Sequence, residues 1–376
     1  MKGVCFYGES VAEALRGKKL KGGAELQIGL LARTLAGHGV PVTVVDPEAS
    51  AAEYVSENLT VVPVKDWEKG IRGIRFFTHR LPHLVRTFRE TGAAVCYVRG
   101  FSVRHLIPLI AAKRMGAKFV LATASDTDLL GFGARYRKGY KGKASLWDWV
   151  SAIIPDEGAY RLLLRSADAV FVQHSEQAAL ARPRTKHVVQ LNNVLDPEIS
   201  TIRNNGAREN ILIVGTLSVA KGLRVLVPIV RKLRSVTFEF IGDAVDNEGR
   251  TVRTSLLECP NVILHGPLDR RQTLGRIATA KALVNTSPRE GFPNTFVEAW
   301  ALRTPVISLF VDPDGVLRRN RLGYFCEGNT SVLEELIQRT SYDLDTDYIQ
   351  QYVLREHSAE QAVRAFRNII DDAPQP

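Results

Sequence analysis

Short apolar runs rich in β-branched residues recur along the chain and are separated by segments long enough for helices. In the first half these runs are residues 4–7, 42–45, 94–98, 118–123, 169–173 and 187–191. Apolar runs of this length are typical of strands buried on both faces of a parallel sheet, so each run predicts a strand. After Gly22 and Gly23, the residues Ile28, Leu31 and Leu35 follow at helical spacing and predict a helix.

The same alternation starts again after a break near the middle of the chain. Residues 192–210 are rich in asparagine and turn formers and predict an interdomain linker. The later runs are residues 211–215, 238–242, 262–266, 282–286 and 305–309. We therefore predict an α/β fold of two doubly wound parallel-sheet domains, residues 1–197 and 198–376, with a terminal helix at 358–371 that can pack back on the first domain.

One helix boundary in the second domain stays open at this stage. Leu223, Leu226, Val227 and Val230 suggest a single helix, but Pro228 falls in its middle. Because an interior proline removes a backbone donor and clashes with the preceding turn, it would kink that helix or delay its start.

The composition is that of an ordinary globular protein. Of 376 residues, 45% are hydrophobic and 24% charged, which excludes disordered and disulfide-rich classes. The four cysteines show no CxxC spacing, so we expect a reducing compartment and no zinc site. The sequence shows neither a secretion signal nor a long uncharged apolar run, and a cytoplasmic location is expected.

Positive charge is concentrated in the first half. Residues 1–200 carry 28 Lys and Arg against 19 Asp and Glu, an excess of nine out of a net charge of +10. This asymmetry suits an anionic membrane surface, a phosphorylated acceptor or nucleic acid, although solubility alone also accounts for it.

Within this half, a basic stretch at residues 135–143 is interleaved with aromatic side chains. Its cations are Arg135, Arg137, Lys138, Lys141 and Lys143. The stretch is compatible with a solvated loop or with peripheral attachment to anionic lipid, to which Arg72, Arg75 and Arg80 would add. No nucleic-acid recognition motif accompanies it, and we expect no nucleic-acid partner.

The strongest chemical signal is the segment from Glu290 to Glu298, which follows a predicted strand and opens a predicted helix. Glu290 falls in the loop at the strand's carboxyl end, and Asn294 and Thr295 offer backbone amides at the helix amino terminus. Helix amino termini bind anions, and carboxylates accept paired hydrogen bonds from vicinal hydroxyls. The spacing therefore suits a sugar nucleotide, although acidic residues in a first helical turn also occur without any ligand.

This segment resembles the E-x7-E motif of retaining glycosyltransferases of the GT-B fold, in the family GT4. Residues 214–222 (VGTLSVAKG) are similar to the family's GRLxxxKG turn, and residues 21–25 (KGGAE) are similar to its glycine-rich first turn. These motifs fall in family order over most of residues 1 to 325. The resemblance implies two Rossmann-like domains facing an interdomain cleft, the first binding the acceptor and the second the nucleotide sugar.

The resemblance also implies site residues. Lys221 would contact the diphosphate, Glu298 the ribose and Glu290 the donor sugar, while Gly23 would allow close approach of the phosphates. It further places Thr216, Leu268, Gly291, Phe292, Asn294 and Thr295 at the nucleotide sugar. The activity implied is hexosyl transfer with retention from a nucleotide-diphosphate sugar to a saccharide or lipid-linked acceptor, in glycan, polysaccharide or glycolipid biosynthesis.

Two positions depart from the family pattern. Thr216 stands where many members carry arginine, and Arg99 stands near the place of a histidine close to the donor sugar. Arg99 is compatible with supplying the missing positive charge in catalysis, with binding an anionic acceptor, or with a structural ion pair. His105 lies further along the chain.

No metal or other cofactor is expected, because lysine and helix amides can stabilise a departing diphosphate. Asp126 and Asp128 follow a predicted strand but fall in the acceptor half and are not predicted metal ligands. Other functions remain open: a non-catalytic relative, a nucleotide-sugar epimerase of the same fold, and a dehydrogenase, against which the lack of a GxGxxG turn argues.

Overall fold

The structure is a computed structural model that describes residues 2–17, 22–71, 74–130, 154–185, 187–203, 206 and 208–372. Contacts divide the chain into two compact units. The first takes most of the chain up to Val194 together with the segment from Ala359 onward, and the second runs from Leu195 to Ser358. The terminal helix thus belongs to the first unit.

The first unit contains an eight-stranded sheet. Its strands are β1 Gly3–Tyr7, β2 Val42–Asp46, β3 Glu53–Ser56, β4 Leu59–Pro63, β5 Ala93–Arg99, β6 Lys118–Ala122, β7 Ala169–Val172 and β8 Val188–Gln190. They lie in the order β3-β4-β2-β1-β5-β6-β7-β8, and only β3 runs antiparallel to its neighbour. The strand order reverses between β1 and β5.

Helices cover both faces of this sheet. They are α1 Val11–Leu15, α2 Gly23–Gly37, α3 Leu81–Thr91, α4 Leu106–Arg114, α5 Ile154–Ser166, α6 Ser175–Ala181 and the terminal helix Ala359–Asp371. Along β1, Val4 and Phe6 enter one apolar core while Cys5 and Tyr7 enter the other. Burial on both faces explains why the strands read as continuous apolar runs.

The terminal helix packs into one of these two cores. Phe366 is fully buried, and its ring lies 5.7 Å from that of Phe6, 5.6 Å from Tyr97 and 5.3 Å from Phe171. Aromatic clusters of this kind bury large apolar areas, so this helix completes a core begun by the first strand of the chain.

The second unit contains a six-stranded parallel sheet. Its strands are β9 Ile211–Val214, β10 Phe238–Ile241, β11 Val262–Gly266, β12 Ala282–Asn285, β13 Val306–Ser308 and β14 Gly323–Phe325. The order is β11-β10-β9-β12-β13-β14, which reverses between β9 and β12. Its helices, numbered before the terminal helix α14, are α7 Leu226–Lys232, α8 Asn247–Leu257, α9 Arg270–Thr279, α10 Asn294–Ala301, α11 Val316–Arg319, α12 Thr330–Gln338 and α13 Thr346–Glu356.

Short helical turns join several of these elements. The 3₁₀ turns are Val103–His105, Asp126–Leu129, Pro197–Thr201, Val219–Lys221, Leu223–Val225 and Pro313–Gly315, and a π-helical turn spans Phe76–Arg80. No helix of the described residues is long and apolar enough to cross a membrane.

The predicted α/β fold of two doubly wound parallel-sheet domains is confirmed, and all of the apolar runs form strands. Three strands were not predicted. The edge strand β3 alternates half-buried and exposed residues, and its partner β4 and the three-residue β14 carry little pattern of their own. Pro228 delays its helix: a 3₁₀ turn precedes α7, and the proline is the third helical residue, where its missing N–H has no intrahelical partner to lose.

Candidate active site

The switch point of the second sheet brings two loops of the predicted site together. In an open parallel sheet, ligands bind at the carboxyl ends of the strands where the strand order reverses. That point lies between β9 and β12, which are hydrogen-bonded neighbours. The loop after β9 carries Thr216 and Lys221, and the loop after β12 carries Glu290 and Gly291.

Lys221 and Glu290 form an ion pair at this switch point. The lysine Nζ donates a hydrogen bond to Glu290 Oε1 at 2.5 Å. Their side chains are 32% and 21% exposed, so solvent and a ligand can reach both. Because the residues are 69 positions apart, only the folding of β9 beside β12 makes this pair. The two residues predicted to handle the diphosphate and the sugar therefore share one site.

The backbone around Lys221 is fixed by a close approach of the two loops. Gly222 has φ of +62°, and a Cβ at this position would lie 2.5 Å from the carbonyl oxygen of Thr286. Thr286 in turn donates its hydroxyl to the carbonyl oxygen of Lys221 at 2.9 Å. Only glycine fits this contact, which holds the lysine at the end of β12.

Helix α10 begins at Asn294, directly after the Glu290 loop. Its N-cap residue is Pro293, whose side chain cannot accept a hydrogen bond, so the helix has no side-chain cap. Thr295 follows in the first turn, and the amino end carries the positive end of the helix dipole. This geometry suits a phosphate group.

The remaining predicted residues of this unit pack around the same region. Phe292 is 8% exposed, with its ring 6.1 Å from Trp300 and 5.2 Å from His357. Leu268 lies against the same core, after β11. Thr216 Oγ1 shares a hydrogen bond with Ser218 Oγ at 3.2 Å and offers no cation in the place of the family's arginine.

Glu298 is buried in a three-residue ionic cluster that the sequence did not reveal. Arg270 Nη1 donates to Glu298 Oε1 at 2.7 Å, and Arg270 Nε donates to Asp196 Oδ2 at 2.9 Å. All three side chains are less than a tenth exposed. Burial lowers the pKa of Arg270, but the two carboxylates outweigh it and leave that pKa raised, so the cation persists.

Arg270 and Asp196 carried only a weak signal in the sequence. Arg270 opens α9 directly after the N-cap Asp269, and Asp196 caps the turn Pro197–Thr201 in the segment predicted as linker. From the sequence, each residue is therefore interpreted only as part of the amino end of its own helix or turn.

Arg99 and Gly23 lie in the first unit. Arg99 is the last residue of β5, a strand that borders the switch point of its sheet. Its Nη2 donates to Asn193 Oδ1 at 2.9 Å and its Nη1 to the Tyr97 hydroxyl at 3.3 Å. Among the described residues no carboxylate pairs with Arg99, which leaves its positive charge for another group. Gly23 opens α2 behind the N-cap Gly22.

His105 cannot supply a positive charge near neutral pH. Its Nδ1 lies 3.0 Å from the carbonyl oxygen of Gly100, and burial lowers its pKa to about 4. Asp126 accepts hydrogen bonds from His174 and Gln177, while Asp128 accepts from the backbone amides of Ala124 and Ser125. The basic stretch 135–143 and Arg72 lie outside the described residues, as does Lys21 of the first glycine turn.

Part of the second unit is similar in sequence to a known family. Residues 208–342 match the family model described as Glycosyl transferases group 1. No curated protein has a significant sequence match to the chain.

Solved structures share the fold of most or nearly all of the chain. Sucrose-phosphate synthase from Thermosynechococcus elongatus has a TM-score of 0.76 at 16% identity, with 99% of each chain covered. Anabaena HepE, solved with UDP and glucose, has a TM-score of 0.71 at 14% identity, covering 99% of this chain and 100% of HepE. The pneumococcal O-GlcNAc transferase GtfA, solved with UDP and GlcNAc, scores 0.54 at 10% identity, covering 77% of this chain and 60% of GtfA.

These identities are too low to carry more than the fold. The predicted resemblance is confirmed: the chain has the GT-B fold of these structures, and residues 208–342 match the model of Glycosyl transferases group 1.

Proposed function

We propose that the protein transfers a hexose from a nucleotide-diphosphate sugar to a hydroxyl acceptor with retention of anomeric configuration. The observation that carries this proposal is the Lys221–Glu290 pair at the sheet switch point, beside the amino end of α10. The cation and the helix amides suit the diphosphate, on which the leaving charge develops, and the carboxylate suits the sugar hydroxyls.

Donor binding would rearrange this ion pair. Lys221 neutralises Glu290 through their hydrogen bond. A diphosphate at the amino end of α10 would draw the ammonium toward itself, because two phosphates carry more charge than one carboxylate. The carboxylate of Glu290 would then accept hydrogen bonds from vicinal sugar hydroxyls.

The chemical step consists of positioning and charge stabilisation. The bond between the anomeric carbon and the diphosphate oxygen breaks, and the acceptor oxygen bonds to that carbon on the same face. The acceptor's proton passes to the departing diphosphate. Lys221 and the α10 amides stabilise the negative charge that grows on the leaving group, a role that requires no metal ion. Arg99 is a further residue proposed to take part in catalysis.

UDP-sugars are the first donors to test, because HepE and GtfA of the same fold were solved with UDP. The acceptor is proposed to be a saccharide or a lipid-linked saccharide of glycan, polysaccharide or glycolipid biosynthesis. The excess of positive charge in residues 1–200 suits peripheral contact with an anionic cytoplasmic membrane face.

Calorimetry against a panel of UDP-, GDP- and ADP-sugars tests the donor. The donor that binds is then incubated with saccharide and lipid-linked acceptors, and the anomeric configuration of the product is read by NMR. Lys221→Ala is compared with Lys65→Ala, which removes an exposed lysine of the first unit. Failure of every nucleotide sugar to bind, conversion of the donor to an epimer without transfer, or an inverted product would each contradict the proposal.

A further inference from the structure

A basic groove lies in the first unit, at the end of the sheet where the parallel strands begin. Arg99 lies at the opposite end, where β5 finishes. The groove has a volume of about 790 Å³. Three of its residues lie where the neighbouring strands β6, β7 and β8 begin. Lys118 is the first residue of β6, Asp168 directly precedes β7 and His187 directly precedes β8. The cationic lining consists of Lys113, Arg114, Lys118 and Arg165, with His187 beside them.

Asp168 is the one acidic side chain that lines the groove in the part of the chain that the structure describes, and it is already engaged. Asp168 Oδ2 accepts the backbone amide of Phe119 at 2.7 Å and the ammonium of Lys113 at 2.7 Å. It therefore neutralises one cation and fixes the start of β6. Arg114, Lys118 and Arg165 have no carboxylate partner among the described residues.

Helix dipoles stabilise only some of these cations. Lys113 and Arg114 lie in the last turn of α4, and Arg165 lies in the last turn of α5, where cations are stabilised by the carboxyl end of the dipole. Lys118 and His187 lie at strand starts, where no such dipole acts. Arg114, Lys118 and Arg165 therefore remain as cations that an anion in the groove would neutralise.

The groove also has an apolar side. Leu109 and Ala167 are buried beneath it, and Leu162 is 50% exposed although it is a large apolar residue on α5. A ligand with an apolar part beside its anionic group would cover Leu162 while meeting the cations.

We infer that this groove is a second anion site, which binds a phosphate group attached to an apolar moiety. The fork of an arginine matches two phosphate oxygens, and a lysine adds a point charge, so Arg114, Arg165 and Lys118 form a suitable set. The phosphate comes either from a free phosphorylated molecule or from a lipid head group. The site lies wholly within the first unit and is separate from the Lys221–Glu290 site.

The test follows phenyl phosphate binding by NMR, because backbone amides report on each site separately. In the wild-type chain, the amides of Lys118, Phe119 and Asp168 are expected to shift on titration. The triple variant Arg114→Gln, Lys118→Gln and Arg165→Gln should bind at least about tenfold more weakly, since a hydrogen bond to a charged group is worth about that factor. Shifts at Gly215 and Gly222 report the donor site and are scored independently of the proposed sugar transfer.

The matched control is Lys65→Gln, Arg89→Gln and Arg364→Gln, which removes the same charge from exposed positions outside the groove. It should bind phenyl phosphate as the wild type does. Sedimentation with phosphatidylcholine vesicles, with and without phosphatidic acid, distinguishes the sources: binding that needs phosphatidic acid and is lost in the groove variant assigns a lipid head group, and phenyl phosphate binding without sedimentation assigns a free molecule. Absence of shifts at the groove amides, or equal affinities in groove and control variants, would overturn the proposal.

Discussion

Glu298 and Arg270 form a buried ion pair, with Glu298 Oε1 and Arg270 Nη1 2.7 Å apart. The pair connects α10, which follows the Glu290 loop, to α9, which follows β11. Arg270 also binds Asp196, which lies near the start of the second unit. The acid expected to bind the ribose is thus oriented by a guanidinium. A carboxylate held in this way presents its oxygens in a fixed geometry, which lowers the entropic cost of binding a ligand.

Replacing Glu298 tests the ribose assignment. Glu298→Ala should weaken donor binding by about 1.5 to 3 kcal/mol, the worth of a hydrogen bond to a charged group. Glu298→Gln should lose less, because an amide oxygen can still accept from Arg270. Calorimetry with the donor measures both variants. Glu209→Ala, which removes an exposed acid of the same unit, is the control, and unchanged affinity in a folded Glu298→Ala protein would exclude contact with the ribose.

Arg270→Met should be far more destabilising than the substitution of either acid. It leaves Asp196 and Glu298 buried without their common partner, and breaking a buried ionic pair costs about 3 to 5 kcal/mol. Thermal melts of the wild type, Arg270→Met and Glu298→Ala check this, and a loss of stability no larger than that of Glu298→Ala would contradict it.

The Lys221–Glu290 pair predicts a division between binding and turnover. Lys221→Ala should lower kcat by about 10²- to 10³-fold, as expected on losing a group that stabilises leaving-group charge, with a smaller change in KM. Glu290→Gln should raise KM as well, because the sugar hydroxyls lose a charged acceptor. Steady-state kinetics of both single variants and the double variant measure the coupling. If only KM changes in Lys221→Ala, the lysine serves binding alone.

Gly222→Ala should disrupt the donor site. The substituted Cβ would lie 2.5 Å from the Thr286 carbonyl oxygen, in addition to the cost of about 1 kcal/mol for a left-handed backbone. Gly266→Ala is the matched control, since φ is +68° there but no atom lies within 4 Å of the new Cβ. We expect loss of donor binding in Gly222→Ala only. Equal losses would indicate backbone strain and not the contact between the two loops.

Activity should survive a strong chelator with at most a modest loss. The reason is that Lys221 and the helix amides are proposed to meet the diphosphate charge directly. The measurement compares initial rates with and without EDTA after extensive dialysis. Complete inhibition that magnesium or manganese reverses would show that the mechanism needs a metal ion.

The sequence by itself determined most of the elements and their order, although β3, β4 and β14 were not predicted. Apolar runs predict strands because strands buried on both faces need side chains without polar groups, and Glu290, Asn294 and Glu298 form one local segment whose spacing does not depend on the rest of the fold. The turn at Gly222 belongs to another local segment, residues 214–222, whose glycines predict it. These features are read within a few residues, so no tertiary contact is required.

Tertiary structure alone decided which of these residues meet. Lys221 reaches Glu290 because β9 pairs with β12 across the switch point, and Arg270 joins Glu298 to Asp196 from three separate elements. Phe366 completes a core begun by Phe6, and three turns into adjacent strands form the basic groove. Such contacts join positions tens to hundreds of residues apart, and their energy depends on burial and distance, which no local pattern of residue types encodes.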